Sequence, residues 1–333
     1  MTTRRDSVHP FENLRPETVL EAAEAAGLVT DDRLLALNSY ENRVWQIGLE
    51  EGAPVIGKFY RPGRWSDDSI LEEHAFAAEL SAAGLSVVAP LDFGGRTLLD
   101  HDGFRYALFP RQGGHAPEPE HEDSLRAMGR ALGRMHAIGA ARRFEFRPAL
   151  TVQGMGLGPR DWLLDHDWIP VHLETAFRTL TDDLLAHVEA AFDRAGAIRS
   201  IRLHGDCHPG NILWRDGPHF VDLDDCRAGP AVQDLWMLIS GERVERERQW
   251  SWLLKEYMLF SDFDPRELHL VEALRALRMI HYQAWLAQRW DDPAFPMAFP
   301  WFDDSRHWET MVQQLREQLS ELQEPPVQVD LSG

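Results

Sequence analysis

The chain has 333 residues, 44% of them hydrophobic, and a formal charge of −20 at pH 7. That is enough apolar material for one large domain or two lobes with buried cores. The acidic balance makes nucleic acid and anionic membrane surfaces poor partners, while leaving room for a local basic cleft that takes a nucleotide.

The first residues, MTTRRDSVHPFENLRPET, carry three arginines but no apolar stretch of the kind a secretory leader needs. PETVLEAAEAAGL has helical composition and stops at Gly27. RLLALNSYENRVWQIGLE predicts strand, polar turn, strand, and PVIGKFYRP predicts a strand with a lone lysine, Lys58. SDDSILEEHAFAAELSAAG predicts a helix: Ser66 or Asp67 as N-cap, Ile70, Leu71, Ala75, Phe76 and Leu80 at helical spacing, Gly84 as stop. VVAPLDF, RTLLDHD and FRYALFP are expected as short strands. RQGGHAPEPEHED, dense in Gly, Pro and charge, is the expected linker.

Beyond it the composition turns helical. EDSLRAMGRALGRMHAIG puts Leu125, Met128, Leu132, Met135 and Ile138 on one face, and residues 173–195 predict another helix. IRLHGDCHPGNILWRDGPHFVDLDD predicts loops and short strands, and a tryptophan-rich helical region follows. The expected organisation is a β-rich N-terminal lobe over 1–112 and a mainly helical lobe over 113–333. The last ten or so residues are expected to fray. Two cysteines, Cys207 and Cys226, make no disulfide framework. No apolar run approaches the ~18 residues of a membrane span. A soluble, cytoplasmic protein is expected.

The densest chemistry lies in LHGDCHPGNILW and VDLDDC. A zinc set of His204, Cys207, His208 and Cys226 is crowded and lacks a CxxC pair. A Cys207 nucleophile with a histidine base leaves Asp206, Asn211 and Asp222 idle. Phosphoryl transfer uses them all. It needs a carboxylate to orient an acceptor hydroxyl, oxygen ligands for Mg²⁺, and a lysine on the nucleotide phosphates. The kinase catalytic loop H-R-D-x-x-x-x-N places Asn five residues after Asp. His204-Gly205-Asp206 followed by Asn211 keeps that spacing, and Phe220-Val221-Asp222 supplies the metal-binding Asp after a strand. Lys58 stands on its strand like the lysine of V-A-I-K. The next helix offers Glu72 and Glu73 as its partner, with Glu73 preferred.

These stretches, with LNSYENRVW, KFYRPGRWSDDSILEEH, LGRMH, VDLDDCRAGPAVQDLWML and RWDDPAFPMAFPWF, resemble the bacterial stress response kinase A family. That family lies in the aminoglycoside/choline kinase-like branch of the protein-kinase-like fold. The resemblance runs from about residue 35 to 302. It implies a two-lobed α+β fold with a nucleotide cleft, and phosphorylation of protein Ser/Thr, including the chain's own, with ATP and Mg²⁺. It also implies a protective role under stress. The implied roles are Asp206 as the base at the acceptor hydroxyl, Asn211 and Asp222 on Mg²⁺, and Lys58 on the phosphates, held by Glu73. Ser39 matches a nucleotide-contacting serine in a loop that lacks G-x-G-x-x-G. FPRQGG would be the adenine-reading hinge. Asp234 is expected to tether the catalytic loop through backbone hydrogen bonds, and His204 to brace it. Asp224 is open between a second metal ligand and a capping carboxylate, and Cys207 between a redox switch and a small buried residue. The catalytic residues alone do not separate a protein kinase from a small-molecule kinase acting on choline, homoserine or an aminoglycoside. A nucleotide-binding pseudokinase is the third reading, and the presence of Lys58, Asp206, Asn211 and Asp222 ranks it last. A monomer is expected for this fold.

Overall fold

A computed structural model describes residues 9–329. The leader reading rests partly on residues 1–8, and the frayed-tail reading partly on 330–333; both stretches lie outside the described residues. In chain order the elements begin with α1 (Pro16–Ala25), β1 (Thr30–Ala36), β2 (Arg43–Leu49), β3 (Val55–Phe59), α2 (Asp67–Ala82), β4 (Leu99–His101) and β5 (Phe104–Pro110). Next come α3 (Glu122–Gly139), a π-helical turn (Gln153–Leu157), α4 (Gly158–Asp165), α5 (Val171–Ala195), β6 (Ile201–Leu203), β7 (Ile212–Trp214), β8 (Pro218–Phe220) and β9 (Arg227–Gly229). The rest is helical: α6 (Val232–Leu235), α7 (Arg243–Tyr257), α8 (Val271–Gln288), α9 (Ala294–Ala298) and α10 (Ser305–Gln323). The described residues form two compact units. The first runs to Glu118 and adds Phe144–Arg147 and Pro209–Cys226; the second holds Pro119–Arg143, Pro148–His208 and the chain from Arg227 on.

The first unit is built on an antiparallel five-stranded sheet in the order β1-β2-β3-β5-β4. Its core gathers Phe11, Val19 and Ala22 around Ile47, Val55, Phe59, Tyr106 and Leu108. Each fully buried side chain of this size contributes roughly 1.5–3 kcal/mol. α2 starts where Ser66 accepts the Ser69 backbone N–H at 3.1 Å, and it buries Ile70, Glu73, Phe76, Ala77 and Leu80. Two predicted strands shrink. Of VVAPLDF only a bridge from Val87 to Phe220 survives, because Pro90 has no N–H to give a ladder. Of RTLLDHD only Leu99–His101 pairs.

The second unit packs α3 on α7 at very short range. A Cβ on Gly129 would meet the Leu253 carbonyl oxygen at 2.3 Å, and one on Gly133 the Tyr257 oxygen at 2.4 Å. Glycine is what lets the two backbones touch. α8 runs through a second core with Leu184, Leu185, Phe295, Phe302, Trp308 and Leu315. Of the C-terminal tryptophans, Trp290 and Trp308 are buried in that core and Trp285 packs against it, while Trp301 is 43% exposed. Near the end of the described chain, Arg243 on α7 donates to the Pro325 and Pro326 carbonyls at 3.1 Å. No helix among the described residues is long and apolar enough to cross a membrane.

Candidate active site

In the first unit Lys58 sits on central strand β3, between Val44 on β2 and Ala107 on β5. It is 6% exposed. A lone buried ammonium demands counter-charge, and three carboxylates supply it. Nζ lies 2.9 Å from Asp222 Oδ1, 3.2 Å from Asp224 Oδ1 and 3.6 Å from Glu73 Oε1. Burial works to lower the lysine's pKa, but Asp222, Asp224 and Glu73 outweigh it and hold it well above the ordinary value. Glu73 moves the opposite way from a usual ion-paired acid. Burial, helped by Asp224 and Asp222, pushes it up to about 7 against the pull of Lys58 and Arg147.

The two adjacent glutamates divide their tasks. Glu73 is on the buried face of α2, three residues after Ile70. Glu72, about 100° further round the helix, accepts three successive backbone N–H groups: Glu145 at 2.6 Å, Phe146 at 2.8 Å and Arg147 at 2.7 Å. That seats Arg147, whose guanidinium lies 4.0 Å from the Trp65 ring. Arg147 donates to the Cys226 carbonyl at 2.9 Å and also to the Asp224 carbonyl.

Asp224 is an internal counter-ion. It is 3% exposed, with Oδ1 beside Lys58 and Oδ2 bound by Arg64 and by Asn42 Nδ2, the latter at 3.2 Å. Arg64 also reaches Asp225 at 2.9 Å. Burial would raise the Asp224 pKa, but Arg64 and Lys58 override it and the net shift is downward. Oδ2 is thus taken by Arg64 and Asn42, while Oδ1 has the Lys58 ammonium beside it. The Ser39 hydroxyl donates to the Asn42 carbonyl at 3.1 Å. Asn42 Oδ1 in turn accepts the Arg61 backbone N–H at 3.0 Å.

β7 pairs with β8 in a short hairpin, Ile212 opposite Phe220. One step further, Val221 N–H donates to the Asn211 carbonyl at 3.0 Å, which brings the ends carrying Asn211 and Asp222 together. Asp222 has left-handed dihedrals, φ 59° and ψ 66°, and its side chain is 53% exposed. An amide oxygen and a half-exposed carboxylate are hard donors, suited to a small divalent cation sharing its shell with phosphate oxygens. The thiols are not candidates. Cys207 and Cys226 are both buried, and burial pushes each thiol's pKa up. Neither is a ready nucleophile. Among the described residues no group of three or more His, Cys, Asp or Glu could hold a metal.

In the second unit β6 pairs with β9 and leads into His204-Gly205-Asp206. Gly205 has φ 85°, a turn that costs a side-chain-bearing residue strain. The tether expected of Asp234 is present: it accepts the His204 N–H at 2.7 Å and the Gly205 N–H at 2.8 Å. His136 on α3 braces the same carboxylate at 3.1 Å, and its other nitrogen meets the Tyr257 hydroxyl at 3.0 Å. Gln233 adds a bond to the Gly205 carbonyl at 3.1 Å. The loop is fixed from beneath by buried charge-assisted bonds, and Asp206 follows it with its side chain 23% exposed. His208 Nε2 lies 3.5 Å from Asp206 Oδ2, and Arg278 from α8 donates to Asp206 Oδ1.

Sequence reasoning did not find Arg278, Arg64, Arg147 or the capping role of Glu72. The one sequence signal for Arg278 is faint: it is one of two arginines, three apart, in a start of α8 that is apolar apart from them and Glu272.

A sheet-borne lysine held by a helical glutamate, an Asn and Asp at the ends of one hairpin, and a braced His-Gly-Asp loop define a kinase-type phosphotransferase. The chain belongs to the phosphotransferase enzyme family, whose family model matches residues 33–271. It is 46% identical over 324 residues to Stress response kinase A of Escherichia coli K12, covering 97% of this chain and 98% of that one. Identity and coverage are the same against the Serine/threonine protein kinase RdoA of Salmonella typhimurium LT2. Among solved structures, amicoumacin kinase in complex with AMP-PNP, Ca²⁺ and Ami superposes with a TM-score of 0.70 at 20% identity, over 92% of this chain and 94% of that one. The microcompartment-associated aminopropanol kinase gives 0.67 at 17%, over 91% and 95%. These likenesses carry the fold, which is the α+β protein-kinase-like fold. The protein is an enzyme and a kinase.

Proposed function

We propose that the protein is a serine/threonine protein kinase that uses ATP and Mg²⁺, takes itself among its acceptors, and serves the stress response in the cytoplasm as a monomer. The observation that carries phosphoryl transfer is the triple contact of Lys58 with Glu73, Asp222 and Asp224 on a buried strand. Such a lysine is pre-aimed at nucleotide phosphates. The protein acceptor rests on the printed names of relatives 46% identical over nearly the full length, against small-molecule kinases at 20% or below.

In this reading Lys58 binds the α/β-phosphates and Glu73 keeps its ammonium in place. Ser39 and the backbone of its loop contact the nucleotide. Asn211 and Asp222 would hold Mg²⁺, which would supply neutralisation of the charge that builds on the transferring phosphoryl oxygens. Asp206 accepts a hydrogen bond from the acceptor hydroxyl and orients it for in-line attack, and Asp234 keeps that carboxylate in position. Preorganisation of this kind is the main catalytic resource for such a reaction.

The test is intact mass after incubation with Mg-ATP, wild type beside Asp206→Ala. A mass step of one phosphoryl group in wild type alone is the expected result. No step in either, with ADP released once choline, homoserine or an aminoglycoside is added, would overturn the protein acceptor and leave a small-molecule kinase.

A further inference from the structure

Asp206 and its surroundings on α8 have a charge pattern that the proposed protein-kinase reading does not itself predict. Arg278 donates to Asp206 Oδ1, and His208 Nε2 stands 3.5 Å from Oδ2. Each oxygen of the proposed base is faced by a cationic or potentially cationic group. The Arg278 side chain remains 37% exposed. A guanidinium has five N–H donors in a fixed fork, so one bond to Asp206 leaves donors for a second acceptor on the open side.

The pattern continues along the helix. Arg278, Tyr282, Trp285 and Arg289 fall at i, i+4, i+7 and i+11, which is one face, and all four are half-buried. Tyr282 stacks on Trp285 at 5.7 Å and 20°, and the Arg289 guanidinium lies 5.5 Å from the Trp285 ring. The one acid on α8, Glu272, is engaged by Arg246, Arg275 and Gln318 at 3.0–3.1 Å. In a chain of net charge −20, α8 itself carries one acid against the two arginines Arg275 and Arg278.

We infer that Arg278, supported by Arg289, is the acceptor-specificity determinant, selecting Ser or Thr hydroxyls flanked by carboxylate side chains and rejecting cationic acceptors. The inference rests on the protein-kinase reading above and deepens it. A flanking Asp or Glu takes the free edge of the Arg278 fork in a charge-assisted pair while Asp206 keeps the hydroxyl. An ammonium brought to the same place meets a guanidinium at close range in a site partly shielded from water, where like charges cost most.

The experiment uses the full chain with Mg-ATP and two peptides identical except that the central serine is flanked by glutamates in one and lysines in the other. Values of kcat and KM are read from ADP release for wild type, Arg278→Gln, Arg278→Lys and Arg289→Gln, with an amino alcohol as a third acceptor. Wild type is expected to favour the acidic peptide by about tenfold or more in kcat/KM, a preference that shrinks with added salt. Arg278→Gln brings the ratio close to unity by raising KM for the acidic peptide, with the KM for ATP unmoved. Arg278→Lys, which keeps the charge but loses the fork, retains only part of the preference, and Arg289→Gln loses part of it. If the glutamine variant does not fold, the wild-type ratio and the Lys and Arg289 variants still decide. Equal use of both peptides by wild type, or an unchanged ratio in Arg278→Gln, overturns the inference and leaves the protein-kinase reading standing. Turnover of the amino alcohol with phosphate on neither peptide nor the protein overturns both.

Discussion

Glu72 and Glu73 are adjacent in sequence, yet replacing each by alanine is expected to damage different properties. Glu72 accepts three backbone N–H groups at 2.6–2.8 Å. Hydrogen bonds to a charged acceptor contribute about 1.5–3 kcal/mol each when buried. These are partly exposed, so water recovers much of the loss, and Glu72→Ala is expected to cost ~2–4 kcal/mol in all. The damage then spreads: without the anchor at residues 145–147, Arg147 no longer seats firmly against the Asp224 and Cys226 carbonyls. Glu73 makes no such set of backbone bonds. Its Oε1 lies 3.6 Å from Lys58, so Glu73→Ala frees the lysine from its helix. The expected loss is about 10²–10³ in kcat/KM for ATP, the size seen when one preorganised electrostatic group is removed. Urea denaturation of both variants, paired with phosphate-transfer kinetics at matched folded fraction, separates the two. The reasoning fails if Glu72→Ala unfolds at the wild-type urea midpoint, or if Glu73→Ala retains wild-type kcat/KM.

Three further outcomes are expected. Asp234→Ala removes the buried acceptor for the His204 and Gly205 N–H groups and for His136; it should destabilise by roughly 3–5 kcal/mol and slow transfer at least about tenfold even where folded, read by tryptophan fluorescence in urea and by ADP release. Burial lifts Glu73 to about 7, and only its ionised form pairs with Lys58, so kcat/KM for ATP should fall as pH drops through about 7; the same limb persisting in Glu73→Gln would assign it to another group. Both thiols are buried and their pKa values raised by that burial, so neither should react with iodoacetamide in the native protein by mass spectrometry, and Cys207→Ala should keep the wild-type response of activity to peroxide.

What was legible in the sequence follows from range. The 3.6-residue spacing of Ile70, Phe76 and Leu80 marks the buried face of α2 and puts Glu73 on it, so the pairing with Lys58 could be read locally. The Asp206–Asn211–Asp222 spacing is likewise a single stretch, and the hairpin that unites its last two members is short. Other features depend on residues far apart in the chain. Arg147 meets the Asp224 carbonyl because segment 144–147 packs with the first unit, a return that composition cannot register. Arg278 meets Asp206 through the turn of α8 in the second core. VVAPLDF is expected as a strand, but a ladder needs donors in sequence and Pro90 removes one. Asp222, Asp224 and Asp225 form an acidic run whose members cannot be ranked by type; burial and Arg64 do the ranking.

That ranking explains how one lysine can serve a cluster of carboxylates and still be free to act. Lys58 has two kinds of partner. Asp224 and Glu73 are buried, 3% exposed each, and Arg64 and Arg147 carry much of the counter-charge they need. They anchor the ammonium and stay in place, because exposing either would leave a buried charge uncompensated. Asp222 is the exception: its side chain is 53% exposed, and water can replace Lys58 on it at small cost. In the proposed reading the lysine would exchange Asp222 for an incoming phosphate without leaving its socket, and the same exchange would release the Asp222 carboxylate for a cation. Were Arg64 absent, Asp224 would compete for Lys58 more strongly and the exchange would be harder. The arginines that no motif contains are thus what make the motif residues usable.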